Sequence, residues 1–503
     1  MTVPRPLYIA PLAWLRPFVL LALALLSLAS TAWAGREQRS VVISITLEPD
    51  SLDPTTSPTS AIGEIVHYNV FEGLVKIQEN GTVAPLLAQS WQVDEQGKRY
   101  TFALRRGVIF HDGSVFDAQA VRFTLERALA PHSPNKAKKA LFDNIARFET
   151  PNAHTLVLHL HHADGNTLFR LGESTAAILH PASADKAATS PIGTGPYRFV
   201  DWKKGWGVTL AKFHAYRHAA QIKLEQAVFR FTPNPVKHTE LVREVDVFYN
   251  TVSQDSRRFR FNPNYQVLSG PSNGKTMLAI NHRRPPLNDV RVRQAITHAI
   301  DREAFIQQVL AGQGQSIGSH FSPTDTGYVH LSGAYPYDPA RARALLQQAG
   351  VALPLQLSIT LPPAAYARTG GPVIAAALAE VGIVATLVPV DWGQWLGGTF
   401  KGDFELSLIN HVEPLDYQIY ADPSYYFGYD SAEFRDLVQR HGTSTHPRER
   451  QRLFMAMQRH LAADAVNAWI FTPQVSTVAR KGLRGLWMNY PISVHDIGAL
   501  SWD

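Results

Sequence analysis

Leu355–Thr360 (LQLSIT), Val373–Glu380 (VIAAALAE) and Val384–Val390 (VATLVPV) read in order as strand, helix and strand, with Gly382 just past the helix. A strand–helix–strand unit is the repeating element of an α/β domain. Immediately upstream, Asp338, Pro339 and Gly350 give a helix its cap, its first residue and its stop. Val290, Val292, Ala295, Ile296 and Ala299 form one apolar helical stripe over Asp289–Ala299. Arg302–Leu310 is a further helix. Arg448–Ala463 is another, followed by a strand at Ala468–Thr472.

Toward the N-terminus the pattern becomes more strand-rich. Val41–Ile45 is a short strand leading into Glu48–Pro54, where prolines and a Ser/Thr cluster up to Ser60 mark a loop. Ile62, Ile65, Val66, Val70 and Phe71 recur at helical spacing, and the stretch stops at Gly73 as a glycine C-cap. Leu74–Ile77 and Val83–Leu86 flank Asn80-Gly81, a hairpin signal. Trp91–Val93 and Tyr100–Leu104 form a second strand pair. Ala118–Ala128 is a helix, Thr155–Leu160 an alternating strand, Tyr197–Phe231 a strand-like stretch and Lys275–Asn281 a strand. The fold class is α/β, with antiparallel pairs confined to part of the chain.

The chain has 503 residues with 45% hydrophobic and 18% charged residues, and no Cys. That length allows two to four domains at ~100–200 residues each. The absence of cysteine excludes disulfides, thiolate metal sites, a cysteine nucleophile and a lipid anchor on an N-terminal cysteine. A net charge of +6 without a basic run argues against a nucleic-acid partner. Phe18–Leu28 is an apolar run preceded by Arg5 and Arg16 and followed by Ala32-Trp33-Ala34. Such a run is short for a membrane span, and the small-x-small ending predicts an export signal cleaved after about Ala34. A soluble periplasmic protein is expected.

Enzymatic motifs fare poorly. Gly314-Gln315-Ser316-Ile317-Gly318 matches the nucleophile elbow, which needs a strand before it and a helix after it. Here a helix precedes and a loop follows, so Ser316 reads as part of a Gly/Ser-rich connection. His159, His161 and His162, and the pair His214 and His218, lack the carboxylate companions of a zinc motif and read as surface histidines. Gly193-Thr194-Gly195 has Arg198 where a dinucleotide loop needs its third glycine. Asp112, Asp117 and Glu126 sit at or beside a helix start, where capping accounts for them. No catalytic residue and no cofactor is expected.

Taken together, several segments resemble the family 5 extracellular solute-binding proteins of ABC importers, which include oligopeptide-, dipeptide- and nickel-binding receptors. They are Glu48–Pro54 with Asn69-Val70-Phe71-Glu72-Gly73-Leu74, Pro85–Trp91 running into Tyr100–Gly113, Pro191–Tyr197, and Pro286–Ile296 ending near Glu303. They occur in family order along nearly the whole mature chain. The resemblance implies a class II periplasmic-binding-protein clamp of two lobes with an additional α+β domain. It divides the chain into a signal peptide (1–34), domain I (35–66, 191–272 and 475–503), domain II (67–190) and domain III (273–474). It further implies a monomer that captures a small peptide or peptide-like solute and delivers it to permease subunits in the inner membrane.

In the resembled peptide receptors, an aspartate in the loop after a late strand holds the ligand's amino group. Here Leu406–Ile409 resembles that strand, and Asn410 stands at the aspartate position. Glu413 and Asp416 are the carboxylates that could replace the charge, with Asn410, His411, Tyr417 and Trp392 completing the candidate ligand contacts. The arginine that holds a dipeptide's carboxylate corresponds to Leu361, and Arg368 is the nearest arginine. Tyr417, Tyr420, Tyr425, Tyr426 and Tyr429 either line a pocket or pack a lobe. Two other readings stand beside this one: a metal-chelate receptor using His411, and a secreted serine hydrolase on Ser316.

Overall fold

The computed structural model describes residues 39–503 except 57–58, 140, 234–240, 250–257 and 445. The expected export signal, Met1–Ala34, lies outside the described residues.

The strand–helix–strand unit is present. Strands Leu355–Leu361 and Ile383–Pro389 pair in parallel, joined by helix Ala365–Ala379. That helix begins well before Val373, and Gly370, Gly371 and Pro372 lie inside it. A Cβ on Gly370 would come within 2.5 Å of the Phe305 ring, and one on Gly371 within 2.5 Å of Leu361. Packing on the sheet thus outweighs the poor helix propensity of these residues. Strand Leu406–His411 adds in parallel beside Leu355–Leu361, and strand Lys275–Ile280 pairs with it antiparallel. Helices Val290–His298, Arg302–Leu310 and Pro339–Gln348 each begin at an aspartate cap: Asp289, Asp301 and Asp338.

A second group of strands centres on Ser40–Ile45. It lies parallel to Gln226–Phe231 on one side and to Val247–Phe248 on the other. Gly207–Lys212 and Tyr197–Lys203 continue it antiparallel. Each group has its own apolar core, one around Val41, Ile43 and Phe229, the other around Leu278, Ile359 and Leu408.

One strand joins the two groups. The strand expected over Ala468–Thr472 runs on to Arg480. Its first part pairs with Lys275–Ile280 and Gly314–Ser316 up to Pro473; from Gln474 it pairs with Tyr265–Pro271, and further on with Val247–Phe248. Pro473 reads as a stop because it lacks an N–H. It stands where the strand exchanges one set of partners for the other, and its carbonyl accepts the Ser272 N–H at 3.0 Å.

A third unit is a four-stranded antiparallel sheet in the order Ala88–Val93, Arg99–Leu104, Thr155–Leu160, Ile145–Asn152. Helix Ala118–Leu129 packs on it, and the hairpin Val75–Ile77/Val83–Pro85 turns at Asn80-Gly81 as the sequence predicts.

The helix expected to reach Gly73 ends at Val66, with His67 extended and Tyr68 at φ 61°. The apolar residues beyond it are buried by a different device. Gly195 donates its N–H to Val70 O and Tyr197 to Asn69 O, both at 2.9 Å. Glu72, 1% exposed, receives two bonds from Arg217 (2.7 and 2.6 Å) and one each from Thr194 and Tyr216. Two segments that carry the family resemblance are therefore sewn to each other.

Candidate functional site

The registers fix where the two sheets look at one another. Along Ala468–Arg480, Phe471 lies level with Thr276, which lies level with Asn410 at the carboxyl end of Leu406–His411. Farther along the same strand, Val478 lies level with Phe248, itself level with Ser44 near the carboxyl end of Ser40–Ile45. Strand directions then require that the carboxyl ends of Leu355–Leu361, Ile383–Pro389 and Leu406–His411 point toward those of Ser40–Ile45, Gln226–Phe231 and Val247–Phe248. About five residues of the joining strand separate the two edges, roughly 17 Å at ~3.3 Å per residue. Open α/β sheets bind ligands at their carboxyl edges, and here two such edges face each other.

The loops at the carboxyl edge of the sheet that holds Ile383–Pro389 and Leu406–His411 carry Trp392 and Asn410–Asp416. Trp392 begins helix Trp392–Gly397, whose Asp391 cap and Gln394 form a capping box. Its ring is 46% exposed, and Val412 is 53% exposed. Arg368 donates from Nε to Pro362 O (3.1 Å) and from Nη2 to Val390 O (2.6 Å), so it pins the loops after two parallel strands. The Asn410 amide oxygen accepts from Thr276 Oγ1 at 3.1 Å, and its N–H donates to Tyr366 OH at 2.9 Å. Glu413 is exposed, and its carboxylate accepts only the neighbouring Val412 N–H, at 3.1 Å, among the described residues.

Asp416 is placed differently. It folds back under the loop, where Lys275 Nζ lies 2.8 Å from Oδ1 and His320 Nε2 2.9 Å from the same oxygen. His411 Nδ1 lies 3.2 Å from Oδ2. Lys275 also donates to Glu413 O at 2.6 Å, and so draws the loop closed beneath the exposed Glu413 side chain. Leu415, at φ 52°, supplies the reversal that sends Asp416 inward. Burial would raise the Asp416 pKa, but the two imidazoles and the ammonium hold it well below the ordinary carboxylate range. Burial pushes His320 down to about 4.

His320, His411 and Asp416 place ligand atoms within 4.8 Å of one another, a spacing that could hold a metal ion. The hydrogen bonds close without one. Tyr420 OH lies 2.9 Å from His320 Nδ1 and Tyr426 OH 3.0 Å from His411 Nε2, so each imidazole has a tyrosine at one nitrogen and the carboxylate at the other. Lys275 then balances the single charge. The cluster performs as a buried anchor for the loop.

The tyrosines resolve toward packing. Tyr417, Tyr420, Tyr426 and Tyr429 are buried in one aromatic cluster with Trp395, Phe427 and Phe434. Tyr417 donates to Asn166 Oδ1 at 3.1 Å, linking this loop to the four-stranded unit. Ser316 ends the short edge strand Gly314–Ser316, opposite Phe471, and makes no hydrogen bond to a histidine among the described residues. His159 bonds Glu149 at 3.0 Å, and the His214 side chain is 76% exposed.

Lys275 and His320 escaped the sequence reading of the site. The signal was present for Lys275. A lysine opening an otherwise apolar strand (KTMLAI), buried at 3% exposure, requires a buried carboxylate. His320, far from the loop in sequence, gave no such sign.

A family model described as bacterial extracellular solute-binding proteins, family 5 Middle, matches residues 82–432. The di/tripeptide-binding protein 1 of Pseudomonas aeruginosa is 28% identical over 394 residues, covering 72% of this chain and 73% of that protein. The dipeptide-binding protein of Escherichia coli K12 is 28% identical over 425 residues, 78% of this chain and 79% of its own. Among solved structures, HbpA2 from Haemophilus parasuis superposes with a TM-score of 0.84 at 22% identity, over 92% of this chain and all of that one.

Proposed function

The chain belongs to the family 5 bacterial extracellular solute-binding proteins, and on that premise we propose that it captures a di- or tripeptide between the two facing sheet edges. It serves as the receptor of an ABC importer, presenting its solute to permease subunits in the inner membrane. The observation that carries the binding role is the single strand Ala468–Arg480. It spans both sheets and holds their carboxyl edges face to face, so rotation about its middle opens and closes a groove. The lobe boundaries then fall at residues 271–275 and at Pro473–Gln474.

A peptide suits the groups exposed there. Trp392 and Val412 supply apolar surface, Glu413 a carboxylate for an ammonium, and Arg368 a guanidinium for a carboxylate. Relatives named for di- and tripeptides support that ligand class. Export to the periplasm, with cleavage after about Ala34, and action as a monomer belong to the same proposal. Native mass spectrometry of protein purified from its own host tests it. An adduct with a di- or tripeptide mass is expected, and calorimetry with that peptide should return one site per chain. A metal-chelate adduct in place of a peptide would overturn the ligand class and leave the receptor role standing.

A further inference from the structure

A cavity of about 620 Å³ lies between the four-stranded unit and the helical cover of the sheet that carries Leu406–His411. Trp91, Tyr100 and Phe169 wall it on one side, and Phe454 and Arg450 of helix Pro447–Ala463 on the other. Leu415 reaches it from the candidate loop, whereas Trp392, Val412 and Glu413 do not line it. Its size falls within the range of small-molecule sites, and aromatic walls with a few convergent polar groups are their usual composition.

Two of those polar groups ask for an acceptor. Asn166, 3% exposed, uses its Oδ1 to accept from Tyr417, and among the described residues its Nδ2 is buried with no partner. A buried amide donor without a partner is costly, so an acceptor on a bound molecule would relieve it. Arg450 donates from Nη2 to Gly165 O at 2.5 Å, and among the described residues no carboxylate lies within ion-pairing distance of it. Its charge is felt at the wall: burial, then Arg450, pushes His441 down to about 3. A third group asks for a donor. Asp325 lines the cavity, its Oδ2 accepts the Ser322 N–H at 2.8 Å, and burial raises it to about 6.

We propose that this cavity is a second binding site, for a small aromatic carboxylate, separate from the peptide groove. The carboxylate bonds Arg450 and Asn166 Nδ2, the ring stacks among Trp91, Tyr100, Phe169 and Phe454, and a hydroxyl on the ring meets Asp325. Because the walls come from two units, occupancy ties the four-stranded unit to the helical cover of the Leu406–His411 sheet.

The test uses 3-(4-hydroxyphenyl)propionate as probe, with calorimetry and tryptophan fluorescence on the whole protein. Wild type and Trp392→Ala should both bind one molecule per chain. Arg450→Gln should weaken binding by about ten-fold or more. Asn166→Asp, which keeps the oxygen that Tyr417 needs and removes the amide donor, should do the same. The Arg450→Gln variant should keep its dipeptide affinity within about two-fold, which separates this site from the groove and from misfolding. No binding to wild type at millimolar probe overturns the proposal. So does probe binding lost in Trp392→Ala and retained in Arg450→Gln and Asn166→Asp.

Discussion

Lys275 Nζ lies 2.8 Å from Asp416 Oδ1, and both groups sit beneath the loop that faces the opposite sheet edge. With the Lys275 side chain 3% exposed and that of Asp416 11%, the pair is buried, and its geometry is completed by His320 and His411. The carboxylate is committed inside the protein. Removing one member of a buried pair strands the other, at about 3–5 kcal/mol. Asp416→Asn and Lys275→Met should each lower the unfolding free energy by that order in urea denaturation. The double variant should be less destabilised than the sum of the two. Additive losses would mean that the pair is not coupled.

Glu413 should behave oppositely. Its side chain is exposed and bonded only to its own loop among the described residues, so folding gains little from it. On the proposed function, the same carboxylate meets the ligand ammonium in a desolvated setting once the groove closes on a peptide. Glu413→Gln should weaken a free-amine dipeptide by about 2 kcal/mol, roughly thirty-fold, with the urea midpoint unchanged. The N-acetylated dipeptide should bind both proteins alike. Equal affinity of variant and wild type for the free-amine peptide would remove Glu413 from the site.

The sequence showed local elements better than their extent. Asp338-Pro339 marked a helix start because capping is a local contact, and Asn80-Gly81 marked a hairpin for the same reason. Errors came where tertiary partners set the boundary. The helix expected from Val373 extends back through Gly370, Gly371 and Pro372, where Phe305 and Leu361 show what the missing side chains make room for. The strand expected over Ala468–Thr472 runs on past Pro473, and nothing local says that a second group of strands takes over pairing there. At the site, the loop 410–416 was legible as a segment, but the direction of each carboxylate was not. Lys275 and His320 lie 141 and 96 residues from Asp416, and those contacts turn it inward.

Buried histidines set an acid limit to stability. Burial pushes His67, His441 and His495 down to about 3, and His111, His282 and His320 down to about 4. A depressed histidine pKa means that the unfolded chain binds more protons between the folded value and about 6.5. Stability is therefore full above pH ~6.5 and lost as pH falls toward 4. Glu64 and Glu173, raised to about 7 by burial, and Asp325, raised to about 6, act in the reverse sense below those values, but they are outnumbered. Melting temperature should fall steadily from pH 7 to pH 5. His495→Gln should flatten the slope, since His495 is wholly buried and burial alone depresses it. A flat profile between pH 5 and 7 would contradict the assignment.

Gly193 and Gly195 should tolerate no side chain, for lack of space. A Cβ at Gly193 would stand 2.0 Å from Val70 O, and one at Gly195 2.3 Å from Asn69 O. Both neighbours are backbone, which cannot swing aside as a side chain can. Retreat would break the Gly195 N–H bond to Val70 O or the Tyr197 N–H bond to Asn69 O. Overpacking costs about 1–3 kcal/mol and each lost bond about 1 kcal/mol, so Gly193→Ala should destabilise by about 3 kcal/mol or more. Gly333→Ala is the matched control, since a Cβ there meets nothing within 4 Å and the backbone is not at positive φ. Urea denaturation of the two variants decides the matter. If Gly193→Ala unfolds within about 0.5 kcal/mol of Gly333→Ala, the close approach of the two segments is not what the glycines are for.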